Sequence, residues 1–98
     1  MRYRARRDAN DAAITAAVRK AGFTVYDLGQ AGQGVPDKLV TAPGFAAFLE
    51  IKTPGGQLRR GQERFQMAFE PLNQWYLARD PAETVAWLQA RLTTTQKP

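Results

Sequence analysis

Along DANDAAITAAVRKAG the apolar residues Ala13, Ile14, Ala17, Val18 and Ala21 recur three and four apart, which gathers them on one face of a helix. Asp8 or Asn10 can cap its start, and Gly22 can stop it. The period then falls to two. FTVYDL, Phe23 to Leu28, alternates β-forming and polar side chains and predicts a strand, followed by the loop GQAGQG. VPDKLVTA predicts a second short strand, with Pro36 at its start where a missing N–H costs least. Pro43-Gly44 is a turn, and Phe45 to Lys52 a third strand; so short a connection predicts an antiparallel hairpin.

After TPGG the helical period returns. Leu58 to Phe69 predicts a helix with Phe65, Ala68 and Phe69 inward and Arg59, Arg60, Glu63 and Arg64 outward, ended by Pro71. Trp75 to Ala78 is a fourth strand. Asp80-Pro81-Ala82-Glu83 then joins an N-cap, a proline at the first helical position and a carboxylate at the third, and Val85, Ala86, Leu88 and Leu92 continue the stripe. The order αβββαβα predicts an α/β fold, a mixed sheet flanked by helices. It forms one domain over residues 8–92, between a basic arm at 1–7 and a polar tail at 93–98. Ninety-eight residues suffice for one modest core. Trp75, Tyr76 and Trp87 fall in the predicted stripes and are expected in the core or at a dimer contact.

Composition narrows the chemistry. The chain has no cysteine and no histidine, which excludes disulfides, thiolate zinc sites, cysteine nucleophiles and imidazole catalysis and leaves carboxylates, Lys, Arg, Tyr and hydroxyls. Fourteen Lys and Arg against nine Asp and Glu give a net charge of +5, with Arg2, Arg4, Arg6 and Arg7 crowded at one end. Such a block suits a polyanion, and equally a solvated basic tail. No apolar run is long enough for a membrane span and no signal-peptide core is present, so a cytoplasmic location is expected, with no membrane partner.

The stretch FLEIKTPGG carries the chemistry. Strand alternation sends Leu49 and Ile51 to the core and sets Glu50 and Lys52 together on the opposite surface. A surface salt pair of this kind contributes only about 0–1 kcal/mol, a weak reason for its presence. A hairpin can also bring Asp37 alongside Glu50 at the end of the sheet, and two carboxylates so placed call for a cation between them. Mg²⁺, which takes one or two carboxylates with waters and phosphate oxygens, is the natural choice, with Mn²⁺ able to substitute. Lys52 could then orient or deprotonate a water, or neutralise charge on a phosphate. No organic cofactor is expected.

GVPDKLV followed by FLEIKTPGGQLRRGQ resembles the signature of the PD-(D/E)XK nucleases, and more narrowly the virus-type replication-repair nuclease domain, VRR-NUC. The resemblance runs from about Asp8 to the last helix and implies a restriction-endonuclease-like sheet. It implies Asp37, Glu50 and the backbone carbonyl of Ile51 as metal ligands, Lys52 as the catalytic lysine and Gln62 as the glutamine beside the site; the alternative for Gln62 is a solvated helix position. The family's first-helix acidic residue is matched best by Asp11, with Asp8 behind it. Either aspartate could instead cap the helix or favour its dipole.

Arg4, Arg6 and Arg7 of the arm, with Arg59, Arg60 and Arg64 after the E-x-K turn, could neutralise DNA phosphates on either side of a cut. The implied activity is a Mg²⁺-dependent endodeoxyribonuclease acting on branched, flapped or Holliday-junction DNA in phage or bacterial replication, recombination or repair. A homodimer aligning two cuts is expected. A catalytically silent DNA-binding or structural module would keep the basic residues without needing Asp37, Glu50 and Lys52 together.

Overall fold

β3 (Phe45–Ile51) is the axis of the sheet. It pairs antiparallel with β2 (Lys38–Ala42), which pairs antiparallel with β1 (Thr24–Asp27); on its other edge it pairs parallel with β4 (Trp75–Ala78). The order β1-β2-β3-β4 follows the chain. The parallel pair needs a crossover, supplied by α2 (Glu63–Phe69) and a 3₁₀ turn at Glu70–Leu72. α1 (Arg2–Lys20) precedes the sheet and α3 (Pro81–Gln96) follows it. A computed structural model describes residues 2–59 and 61–96, with side chains for 7–59 and 61–94.

The alternation of β3 decides the layers. Phe45, Ala47, Leu49 and Ile51 share one buried cluster with Ile14 and Val18 of α1 and Leu88 of α3, so those helices cover that face. The other face carries Phe48, whose ring meets Phe65 and Phe69 of α2 at centroid distances of 5.6 and 4.9 Å. Aromatic pairs of this kind contribute about 0.5–1.5 kcal/mol each beyond the area they bury. They pin α2 beside the end of β3. Tyr76 and Trp87 stack at 4.8 Å and Trp75 is buried, so the three aromatics are packing residues.

Four local expectations are corrected. α1 starts at Arg2, not Asp8, so residues 2–7 continue the helix, and Asp8 and Asn10 are interior residues without a capping role; arginine is a good helix former and carries the helix past the cap-like residues. α2 starts at Glu63, not Leu58: Gly61 holds φ at +96°, which a right-handed helix cannot include. α3 continues to Gln96 through the threonines, and Thr94 Oγ1 donates to the Ala90 carbonyl at 3.0 Å. Ala68 and Ala86, expected inward, are exposed, whereas Thr84 is fully buried and donates through Oγ1 to the Asp80 carbonyl at 2.7 Å. The α3 cap itself is as expected: the Glu83 N–H donates to Asp80 Oδ2 at 2.8 Å.

Candidate active site at the end of β3

Lys38 stands opposite Leu49 in the antiparallel register, so one step further Asp37 comes opposite Glu50. Asp37 extends the ladder with its side chain: Oδ2 accepts the Ile51 N–H at 2.7 Å, while its own carbonyl accepts the Leu28 N–H at 2.7 Å. Asp37 is thereby held by main-chain donors at both its carboxylate and its backbone carbonyl. Its second oxygen, Oδ1, receives Arg7 Nη2 at 2.5 Å, a charge-assisted contact reaching from α1.

Glu50 and Lys52 are buried rather than on an open surface, with only 2% and 7% of each residue exposed. The expectation of a surface pair fails because α2 and the segment leading into it cover that end of the sheet. Glu50 Oε2 accepts Gln62 Nε2 at 2.9 Å and lies 3.7 Å from Lys52 Nζ. Burial, and then the neighbouring Asp37 through its charge and a hydrogen bond, push the Glu50 carboxyl up to about 8 against the partial relief from Lys52 and Arg7.

The surrounding main chain is tied down. Gln62 Oε1 accepts the Arg59 N–H at 2.7 Å, which orients the amide so that its NH₂ faces Glu50. The Lys52 N–H donates to the Ala78 carbonyl at 3.0 Å, extending the β3–β4 pairing by one residue. Asn10 Nδ2 of α1 donates to the Lys52 carbonyl at 2.6 Å and to the Arg79 carbonyl at 3.2 Å, and Arg79 Nη2 donates to the Gly56 carbonyl at 2.7 Å.

Asp37, Glu50, Lys52 and Gln62 open onto one cavity of about 550 Å³, whose rim adds Arg7, Asp8, Thr53 and Arg59. The ordered set read from the sequence therefore converges at one place, with two of the expected phosphate-binding arginines beside it. Asp11 does not line this cavity: its Oδ1 is 3.0 Å from Lys38 Nζ and accepts Thr15 Oγ1 at 3.1 Å, and it faces an adjoining depression shared with Asp8, Asp27 and Asp37. Of the two aspartates of α1, it is Asp8 that reaches the cavity. Arg64 lines a different depression with Gly34, Gly61 and Met67. Arg60 and the side chains of Arg4 and Arg6 lie outside the described residues.

Among the described residues no three acidic side chains converge on a point. A pair does. Asp37 raises the Glu50 pKa through charge and hydrogen bonding, the signature of two carboxyls competing for one space. An all-oxygen pair of this kind fits a hard divalent cation that takes one or two carboxylates and completes its shell with water and phosphate.

Two contributors escaped the sequence reading. Lys38 is buried and lies 3.0 Å from Asp11 and 3.5 Å from Asp27. The hydrogen bond from Gly29 and then the Lys38 charge hold the Asp27 carboxyl below its ordinary range. Its signal was a lysine two residues before Val40, on the strand's apolar side. Asn10 stands four residues before Ile14 and eight before Val18, a polar side chain on the buried stripe of α1. Among the described residues no helix is long and apolar enough to cross a membrane. No protein-family model, curated protein or solved structure matches the chain.

Proposed function

We propose that the protein is a Mg²⁺-dependent endodeoxyribonuclease of the PD-(D/E)XK kind, similar to VRR-NUC domains, with the four-stranded mixed sheet as a small restriction-endonuclease-like core. The observation that carries the proposal is the convergence of Asp37, Glu50, Lys52 and Gln62 on one cavity rimmed by Arg7 and Arg59. Four side chains from three segments, three of them the buried ionisable groups Asp37, Glu50 and Lys52, have little structural reason to meet, since ionisable groups taken out of water are seldom a net gain in stability.

Asp37 and Glu50, with the Ile51 carbonyl, would hold the metal. When bound, the ion supplies positive charge for the phosphate oxygens and makes a coordinated water more acidic. The protein's own part is positioning. Asp37 is oriented by the Ile51 N–H, and Glu50 by the Gln62 amide, so neither carboxylate has to be ordered at the moment of reaction. Lys52 presents its ammonium next to Glu50, where it can hold the attacking water and donate to a phosphate oxygen as negative charge grows there. Arg7 and Arg59 engage the flanking phosphates as sequence-independent contacts. Hydrolysis places the water's oxygen on phosphorus and releases the other strand end as an alcohol carrying the proton.

The resemblance to VRR-NUC domains favours branched, flapped or Holliday-junction DNA as substrate, and a domain this small suits a homodimer that places two sites on one junction. A cleavage assay on labelled branched and linear DNA with Mg²⁺ or Mn²⁺ tests the proposal. Wild type cuts and Lys52→Ala loses at least about 100-fold in rate while still binding DNA. Equal behaviour of the two proteins sinks it.

A further inference from the structure

Gly34, in the loop between β1 and β2, lies against the backbone that leads into α2. Its φ is +78°, and a Cβ built there would stand 2.3 Å from the Gly61 carbonyl oxygen, 2.8 Å from the Gly61 carbonyl carbon and 3.3 Å from the Gln62 nitrogen. All three are main-chain atoms, so no side chain can swing aside to make room. Gly61 itself has φ at +96° and no atom within 4 Å of its own would-be Cβ. The crowding is therefore one-sided and belongs to position 34.

On both sides of this joint lie residues of the candidate site. Three residues after Gly34 comes Asp37, reached through Pro36, which is fully buried and fixes the direction of the chain. The base of the loop is closed by the Leu28 N–H on the Asp37 carbonyl, and its tip by the Val35 N–H on the Gly32 carbonyl at 3.1 Å. One residue after Gly61 comes Gln62, whose amide holds Glu50. The segment Gly34-Val35-Pro36-Asp37 is thus a short strut with a metal-ligand candidate at one end and the backbone of Gln62 pressed against the other.

We infer that Gly34 is a positioning residue: its bare Cα sets how closely the backbone of Gly61 and Gln62 approaches, and so places the Gln62 amide on Glu50. The role in catalysis rests on the nuclease reading. The geometric role does not. A side chain at 34 drives the 61–62 backbone outward, withdraws the Gln62 donor from Glu50 and leaves the fold of the sheet intact.

Gly34→Ala tests this beside Gly32→Ala, which bears a similar backbone strain at φ +68° but whose Cβ would meet nothing within 4 Å. In ¹⁵N-labelled protein without metal or DNA, Gly34→Ala shifts the Gln62 side-chain amide resonances and speeds their hydrogen exchange, and Gly32→Ala leaves them in place. In cleavage, Gly34→Ala lowers kcat by about 10- to 100-fold with little change in DNA affinity, as a small misplacement of a positioning group does. In a Gln62→Ala background the same substitution adds nothing further.

Unmoved Gln62 amide resonances in folded Gly34→Ala overturn the inference whatever the activity. A wild-type protein that cuts no DNA sinks the nuclease reading and leaves the amide measurement standing. If Gly34→Ala does not fold, wild type decides. A nuclear Overhauser contact between the Gly34 α-protons and the Gln62 backbone amide is expected, and its absence overturns the inference.

Discussion

Arg7 Nη2 and Asp37 Oδ1 are 2.5 Å apart, so an arginine of the first helix occupies the one oxygen of Asp37 that the Ile51 N–H does not use. That oxygen is also the one a divalent cation would need. Arg7 and the cation therefore compete for Asp37 until a DNA phosphate offers the guanidinium a second anion. Arg7→Ala is expected to raise Mn²⁺ affinity several-fold in the absence of DNA. It also weakens DNA binding and lowers the slope of log K against log salt by about one. Calorimetry with Mn²⁺ and a salt series with a labelled duplex read the two effects. A variant with weaker Mn²⁺ binding contradicts the competition.

Glu50 makes stability fall as pH rises. Its folded carboxyl titrates at about 8 against an ordinary value of 4.5, so between those values the folded state holds a proton that the unfolded chain has lost. The stability of the metal-free protein is highest near and below pH 4.5 as far as this group is concerned, declines through the window, and levels off above about 8. Glu50→Gln keeps the shape without the titration and flattens the curve, with a gain over wild type of up to a few kcal/mol at pH 9. With no histidine in the chain, the window is free of imidazole titration. Urea unfolding at pH 5 and pH 9 checks it, and parallel curves for the two proteins contradict it.

Metal binding runs in the opposite direction. Glu50 must release its proton to bind a cation, so Mn²⁺ affinity of wild type rises with pH up to about 8 and is flat beyond. A titration that is level from pH 6 to pH 9 would mean that Glu50 is not a ligand.

Asn10→Ala and Asp80→Ala separate site from scaffold. Asn10 ties α1 to the carbonyls of Lys52 and Arg79, so its loss leaves two carbonyls short of a donor at the site, costs about 1–3 kcal/mol and lowers kcat more than DNA affinity. Asp80 caps α3 through the Glu83 N–H, away from the cavity, and its loss costs about 0.5–2 kcal/mol with kcat unchanged. Thermal melts and steady-state cleavage read both. Similar kcat losses in the two variants would show that stability, not position, governs the rate.

The sheet was legible in the sequence because period-two alternation around two tight turns leaves little freedom: the β2–β3 hairpin and β4 lie where the pattern puts them. The Asp37, Glu50 and Lys52 group followed from that register. Helix ends were less legible. Asp8 and Asn10 resemble caps, yet Asn10 is spent on tertiary hydrogen bonds to Lys52 and Arg79 that no local pattern announces. Burial of Glu50 was also hidden, since it depends on α2 docking through Phe48, Phe65 and Phe69, residues about twenty apart in the chain. Asp11 fits the expected spacing but is drawn to Lys38, a buried lysine whose partners only the folded sheet reveals.

The proposed chemistry requires Asp37 and Glu50 to share one cation in the cavity beside Lys52. Anomalous diffraction from crystals soaked in Mn²⁺ measures this most directly. A Mn²⁺ peak is expected within coordination distance of Asp37 and Glu50, and its loss in Asp37→Asn. A cavity that stays free of Mn²⁺ at saturating concentration, or a peak held instead by Asp11 and Asp27, would contradict it.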